Sequence, residues 1–160
     1  TGLRRSELAK VNREMLDLQE SQLRIPAHIQ KDYPNDNSPD PATFALDLEG
    51  ELSTVRTVRS YLDTRADNSP ALFPSQKSDR MQPNTINRAV KRAAERASVR
   101  PHSYAGRDSP DAVSALTLRH SVAYRLLHEY DDYTLYDVRN RLRHATILTT
   151  ERKYDHFQTI

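Results

Sequence analysis

Residues 83–97 read Pro-Asn-Thr-Ile-Asn-Arg-Ala-Val-Lys-Arg-Ala-Ala-Glu-Arg-Ala, the clearest helical pattern in the chain. Cap candidates open the segment, good helix formers fill it, and its apolar residues repeat at helical spacing. The same criteria predict further helices near the N-terminus, from residue 52 to the Asn68-Ser-Pro stop, after Ser114, around residues 135–142 and at 150–157. The chain is therefore predicted to be mainly helical.

Two short segments in the first third of the chain have patterns that favour β-strands instead. Residues 22–29, Gln-Leu-Arg-Ile-Pro-Ala-His-Ile, alternate well enough for a strand, which Pro26 would restrict to a sheet edge. Residues 43–46 form a second apolar run, and the turn formers at 30–41 predict a long hairpin loop between the two. The predicted fold class is mainly α with a small antiparallel β-sheet, an α+β fold.

Composition excludes several classes of protein. With 160 residues the chain suits one domain, and no apolar run approaches the length of a membrane span, which excludes an integral membrane protein. The chain has no Cys, which excludes disulfide scaffolds, thiolate zinc sites and Cys nucleophiles. Its three Gly are too scattered for a nucleotide-binding loop. The absence of a signal peptide makes the cytoplasm the expected compartment.

Positive charge is concentrated in the second half of the chain. Residues 1–79 carry 10 basic and 13 acidic side chains, whereas residues 80–160 carry 14 basic and 9 acidic ones. Of the 24 basic residues 19 are Arg, whose guanidinium binds phosphate oxygens bidentately. This distribution suggests a nucleic-acid partner. The alternative is that an Arg-rich composition reflects the genome or a high-salt host.

One helix face carries a stripe of cations. Arg88, Arg92 and Arg96 recur every four residues, with Lys91 beside them, which places four cations along about three turns. We predict these four as DNA-binding residues. The alternative is an ordinary solvated face on which Glu95 pairs with Arg92 or Lys91.

Three other residues stand out for their surroundings. Arg119 lies early in a largely apolar helix, where a buried Arg needs an anionic partner, and an intramolecular salt bridge is the simplest one. His144 and Tyr154 lie ten residues apart across a predicted turn, and a lone Tyr near a terminus usually serves packing.

Three segments, in this order, resemble the motifs of the tyrosine recombinases, the phage integrase family. Thr1-Gly-Leu-Arg followed by Ser-Glu-Leu resembles the first motif, Leu118–Ala123 the second, and Leu142–Tyr154 the closing one, with Arg143 where the family has Gly. The family also places a Lys on a β-hairpin between the first two motifs, and the predicted hairpin, residues 22–46, contains only one Lys. The resemblance thus implies five catalytic residues: Arg4, Lys31, Arg119, His144 and the nucleophile Tyr154.

The resemblance implies a site-specific DNA recombinase that acts through a 3′-phosphotyrosyl intermediate without metal or cofactor. Its partner would be double-stranded DNA with specific recombination sites, on which protomers assemble, as a tetramer in synapsis, at the host nucleoid. The chain (1–160) would be a catalytic-domain fragment that lacks the N-terminal DNA-clamping domain and the first catalytic-domain helix. A weaker resemblance is to integrases of haloarchaea and their viruses.

One position departs from the family pattern. The family has His three residues before the second Arg, and this chain has Leu116 there, which can neither donate a hydrogen bond nor carry a proton. His120 is expected to point elsewhere, since adjacent helical residues diverge by about 100°, whereas His102 in the preceding loop could compensate. Leu116 leaves a catalytically impaired or silent DNA-binding relative as one alternative, and an unrelated helical module as another. We also expect Tyr154 to be mobile or displaced without DNA.

Overall fold

The computed structural model describes residues 1–33, 39–47, 53–103, 106–129 and 132–154. The chain divides into two compact units: residues 9–81, here called the sheet unit, and residues 1–8 with 82–160, here called the helical unit. The predicted turn residues 34–38, the start of the helix predicted from residue 52 and the helical residues predicted after 154 lie outside the described residues.

The sheet unit contains a three-stranded antiparallel sheet in the order β1 (Leu16–Asp17), β2 (Gln22–Ile25), β3 (Ala42–Ala45). Along β2 the side chains of Leu23 and Ile25 are buried, and Leu23 pairs with Phe44 of β3. The predicted sheet is confirmed, but the edge position of the 22–29 strand is wrong. The strand ends at Ile25, so Pro26 lies outside it and β2 can pair on both sides. Helix α2 (Thr54–Asp63) follows.

The helical unit is built from α1 (Arg5–Lys10), which continues into the sheet unit, α3 (Pro83–Arg96), α4 (Ala115–His128), α5 (Leu135–Leu142) and α6 (Ile147–Tyr154). The predicted cap of α4 is confirmed, because the Ser114 hydroxyl accepts the Thr117 N–H at 3.2 Å. Where a loop was predicted after residue 100, β4 (His102–Ser103) and β5 (Gly106–Arg107) pair antiparallel. None of the described helices is long and apolar enough to cross a membrane.

The core of the helical unit joins α4, α5 and α6. Ala123, Val138, Leu142 and Tyr154 are fully buried together, with partly buried Val and Leu side chains around them. On α4 the buried positions Ala115, Arg119 and Ala123 follow at intervals of four residues, so they share one face of the helix. The face that packs in the core therefore also carries a guanidinium, close to the end of α5.

Candidate active site

The C-terminus of α5 organises the site. Arg143 adopts a left-handed backbone conformation with φ 53° and ψ 55°. The N–H of His144 donates to the Arg139 carbonyl at 3.0 Å, and the N–H of Arg143 donates to the Asn140 carbonyl at 3.1 Å. This pair of bonds is a Schellman motif, which usually has Gly at the left-handed position. The turn ends the helix and places His144 directly after it.

Two arginines bind the last carbonyls of this helix end. Arg119 Nη2 donates to the Leu142 carbonyl, and Arg4 Nη2 donates to the Arg143 carbonyl at 3.3 Å. Helix C-termini leave carbonyls without helical partners and carry partial negative charge, so cations are stabilised there. The sequence separates Arg4 from Arg119 by more than a hundred residues, and this helix end brings their guanidiniums together.

Gly2 completes the binding of Arg119. Its carbonyl accepts a hydrogen bond from Arg119 Nη1 at 2.5 Å. Its φ of +73° favours glycine, and a Cβ at this position would lie 2.6 Å from Leu142 Cδ2. A side chain here would therefore disturb both the packing on Leu142 and the carbonyl that holds Arg119.

Glu7 links two of the arginines. Its carboxylate accepts from Arg4 Nη1 at 2.8 Å and from Arg143 Nη2 at 2.5 Å, and it is completely buried. Burial alone would raise the pKa of this carboxyl, but the Arg143 charge and the hydrogen bonds and charge of Arg4 outweigh it and hold the pKa below its usual range. Glu7 is therefore ionised. Sequence reasoning assigned it no role, although its spacing of three from Arg4 on a helix was a usable signal.

Arg119 lacks the salt bridge that its burial suggested. Its side chain hydrogen-bonds two backbone carbonyls, and no described carboxylate lies within salt-bridge distance of it, while its exposure is only 4%. Burial, and after it the charges of Arg4 and Arg143, lower the pKa of Arg119 to about 10, so it remains charged at neutral pH. Arg4, Arg143 and Arg119 together with Glu7 carry a net charge of +2 (three guanidiniums and one carboxylate), which favours an anion beside them.

Tyr154 lies beside these cations, at the end of α6. Its ring is 1% exposed, parallel to the His144 ring at 6.1 Å between centroids, and Arg119 and Arg4 are close enough to influence its pKa. His144 Nδ1 forms a hydrogen bond of 2.8 Å with Thr150 Oγ1, which fixes the imidazole on α6. The structure therefore brings Arg4, Arg119, His144 and Tyr154 together. The expected displacement of Tyr154 is not observed, because its ring packs in the core.

His120 is a correction to the sequence analysis. It was expected to point away, but its ring meets the Tyr154 ring edge-on, with 5.4 Å between centroids and an angle of 67°. The expectation compared His120 with its neighbour Arg119. The relevant comparison is with Leu116, because residues four apart, such as Leu116 and His120, lie on the same face of a helix. Leu116 itself is 54% exposed. His102 lies in β4, where it is exposed and pairs with Arg107.

Lys31 belongs to the sheet unit, where it is exposed on the connection between β2 and β3, and its catalytic role stays a prediction. On α3, Arg88, Arg92 and Arg96 are exposed and Lys91 is half-buried, at 3.3 Å from the Asp111 carboxylate. Glu95 forms no salt bridge with Arg92 or Lys91 in the described structure. The proposed DNA-binding stripe therefore keeps most of its charge uncompensated.

We expect Glu7→Gln to lower the free energy of unfolding by about 3 kcal/mol, since the neutral amide leaves the buried Arg143 and the partly buried Arg4 without their counter-charge. Urea denaturation measures this. The matched control is Glu129→Gln, whose pair with Arg125 is largely exposed and should cost less than about 1 kcal/mol. Equal losses in the two variants would contradict a special role for Glu7.

His144 is expected to remain neutral across the physiological range. Burial, and after it the charges of Arg119 and Arg4, lower its pKa to about 3. An unfolded His takes up its proton near pH 6.5 and the folded one does not, so acidification from pH 6.5 toward 3 favours the unfolded state. NMR of the His144 ring should show no titration between pH 8 and 5, and His144→Gln should weaken the acid loss of stability. A midpoint near 6.5 would be incompatible with this site.

Comparison with known proteins agrees with this arrangement. The model of the phage integrase family matches residues 1–159. XerA recombinase has a similar structure, with a TM-score of 0.69 and 21% identity over 100% of this chain and 55% of that one. No curated protein sequence matches the chain.

The Tn1549 transposon integrase is also similar in structure. Its complex with a circular intermediate DNA gives a TM-score of 0.68 and 14% identity over 100% of this chain and 51% of that one. Its complex with transposon right end DNA gives a TM-score of 0.68 and 16% identity over 96% of this chain and 50% of that one. At these identities the likeness shows a shared fold. The present chain spans about half the length of the solved proteins it matches.

Proposed function

This chain belongs to the phage integrase family, and from this premise we propose that it is the catalytic domain of a site-specific DNA recombinase. The observation that carries the proposal is the excess of positive charge on Arg119, Arg143 and the partly buried Arg4 beside Tyr154. A phosphodiester supplies the missing anion, and a tyrosine supplies a nucleophile. The alternative of an unrelated helical module is overturned by the family match.

Arg4 and Arg119 would bind the non-bridging oxygens of the scissile phosphate. Attack on a phosphodiester adds negative charge to these oxygens in the pentavalent transition state, so donors already held in place stabilise it more than the ground state. Backbone carbonyls position both guanidiniums, and Glu7 also holds that of Arg4. Each guanidinium keeps further N–H donors for a ligand. Arg143 adds a third charge to the same region.

Tyr154 would attack the phosphorus, giving a 3′-phosphotyrosyl bond and releasing the 5′-oxygen of the next nucleotide, which Lys31 would protonate. A partner 5′-hydroxyl reverses the step and rejoins the strands, so the phosphoester energy is kept. His144 would contribute as a neutral imidazole: with Nδ1 accepting the Thr150 hydroxyl, its Nε2–H is free to donate to the phosphate.

DNA binding must expose Tyr154. Because the side chain is 1% exposed, we expect its surroundings to open when DNA binds, with the ring kept beside His120 and His144. The substrate would be double-stranded DNA with a specific recombination site, bound by several protomers, which would place the protein at the host nucleoid. The Tn1549 integrase structures, which contain DNA, support this class of partner.

A silent DNA-binding relative is the second candidate, and Leu116 is the observation that favours it. The test uses the full-length protein and a pool of nicked suicide duplexes of varied sequence, in which cleavage releases a short fragment and traps the covalent product. We expect an adduct that survives denaturation, with a free 5′-hydroxyl on the released strand. Sequence-specific binding without any adduct would instead support the silent relative.

The α3 stripe (Arg88, Lys91, Arg92 and Arg96) is expected to contact DNA phosphates, with one Arg reaching a guanine edge. Each Arg→Ala replacement should reduce the slope of log affinity against log salt by about 1, because one fewer counterion is released. Lys91→Ala should have a smaller effect, because Lys91 already pairs with Asp111. Arg→Lys replacements serve as controls that keep the slope. An unchanged slope after replacement of all four by Ala would refute this contact.

A further inference from the structure

We propose that His120 accepts the proton of the Tyr154 hydroxyl during strand cleavage, in place of the imidazole that the family carries at the position of Leu116. This inference rests on the proposed function. It identifies a catalytic residue from the contact between two rings on α4 and α6.

The geometry of α4 explains how one residue could replace the other. Leu116 and His120 are four residues apart, so they lie one turn apart on the same face of the helix. From its position His120 contacts the Tyr154 ring edge-on, at 5.4 Å between centroids. An imidazole is thus present beside the nucleophile although the usual position holds an exposed Leu.

The nucleophile needs such an acceptor. Burial raises the pKa of the Tyr154 hydroxyl, and the neighbouring charges of Arg119 and Arg4 lower it without cancelling that effect. The hydroxyl is therefore protonated at neutral pH, and it must lose its proton as its oxygen bonds to phosphorus. Arginine remains protonated and cannot take it.

His144 is the other imidazole beside Tyr154, and two observations disfavour it as the acceptor. Its Nδ1 is engaged with Thr150 Oγ1 at 2.8 Å. Its pKa of about 3, caused first by burial and then by Arg119 and Arg4, makes it a very weak base at neutral pH. An efficient general base has a pKa nearer the working pH. His144 is thus suited to donate to the phosphate, which leaves His120 for the proton of Tyr154.

The charged and titratable groups around His144 and Tyr154 come from several elements. Tyr154 and Lys153 belong to α6, His144 to the turn before it, Arg119 to α4 itself, and Arg4 to the segment that leads into α1. The negative charge that develops on the phosphate stabilises the His120 imidazolium once it forms.

The proposed step balances in atoms and charge. The Tyr154 hydroxyl proton moves to a ring nitrogen of His120, the bond between Oη and phosphorus forms, and the bond from phosphorus to the 5′-oxygen breaks. The departing oxygen takes a proton from Lys31 and leaves as a hydroxyl. In strand joining, the proton on His120 returns to the tyrosine oxygen as it leaves phosphorus.

The test measures the single-turnover rate of adduct formation by the full-length protein on the nicked duplex. His120→Ala should slow it about 10²-fold or more, the usual contribution of a general base, with DNA binding and melting temperature kept. His120→Gln, which retains bulk and polarity, should be equally slow. The matched control is His128→Ala, two turns further along α4, where the ring packs on Tyr124. It should cleave at the wild-type rate.

A second arm moves the imidazole by one helical turn. Leu116→His combined with His120→Ala should recover at least 10-fold of the lost rate, because the ring returns to the position that the family uses. A third arm replaces the leaving 5′-oxygen by sulfur, which departs without protonation. That substrate should rescue Lys31→Ala, which lacks the acid, and should not rescue His120→Ala, which lacks the base.

The outcomes separate this inference from the function on which it rests. Absence of an adduct with the wild-type protein overturns the proposed function itself. An adduct that forms at an unchanged rate in both His120 variants overturns only the role of His120. Rescue of His120→Ala by the sulfur substrate would also overturn it, since His120 would then act on the leaving group.

Discussion

Tyr154→Phe is expected to abolish the covalent protein–DNA adduct completely while DNA affinity changes by no more than about two-fold. The substitution removes the oxygen that we propose as the nucleophile and keeps the ring that packs with His120, His144 and the core of the helical unit. Folding should therefore survive. Denaturing gels measure the adduct, and a gel-shift titration measures binding.

The matched control for this variant is Tyr124→Phe. Tyr124 lies on α4, is about half exposed and packs on His128 rather than on the cationic cluster. Its replacement should leave both adduct and binding unchanged. An adduct that persists in Tyr154→Phe would mean that another residue is the nucleophile.

Arg119→Ala should produce the second largest effect, a loss of about 10³-fold in the rate of cleavage. Removing a single transition-state donor costs about 10²- to 10³-fold, and Arg119 contributes a full charge in a water-poor site as well. The effect of Arg119→Ala on the free energy of unfolding should be smaller, because two contributions of opposite sign act. The Gly2 and Leu142 carbonyls lose their donors, whereas the repulsion of Arg119 with Arg4 and Arg143 is relieved.

Arg125→Ala is the control for Arg119, since it lies on the same helix and forms an exposed pair with Glu129. It should cleave normally. Thermal unfolding of both variants separates misfolding from lost chemistry. A large drop in stability for Arg119→Ala with cleavage retained in the folded fraction would show a purely structural arginine.

Much of the fold could be predicted from local pattern. The apolar spacing in α3, α4 and α5 identified those helices, and Ser114 marked the start of α4 because its hydroxyl can bind the Thr117 N–H. The β4–β5 pair was missed, since two residues per strand show no periodicity. The place of β2 in its sheet was also missed, because a Pro just outside a strand looks in sequence like one within it.

The site was only partly visible in the sequence. Motif resemblance singled out Arg4, Arg119, His144 and Tyr154, which the structure brings together. Glu7, Thr150 and Arg143 contact them through tertiary packing at the end of α5, which no local pattern encodes. His120 was misjudged from its neighbour in sequence, because contact with α6 is decided by the helix face.

Identification of the residue that carries DNA in the trapped adduct is the most direct measurement. The adduct formed on the nicked duplex is digested with nuclease and protease, and mass spectrometry locates the nucleotide that stays attached to a peptide. We predict a 3′-phosphate linkage to the Tyr154 oxygen, in a peptide that includes or directly follows Lys153. Attachment of the DNA to any other side chain would contradict the proposed mechanism.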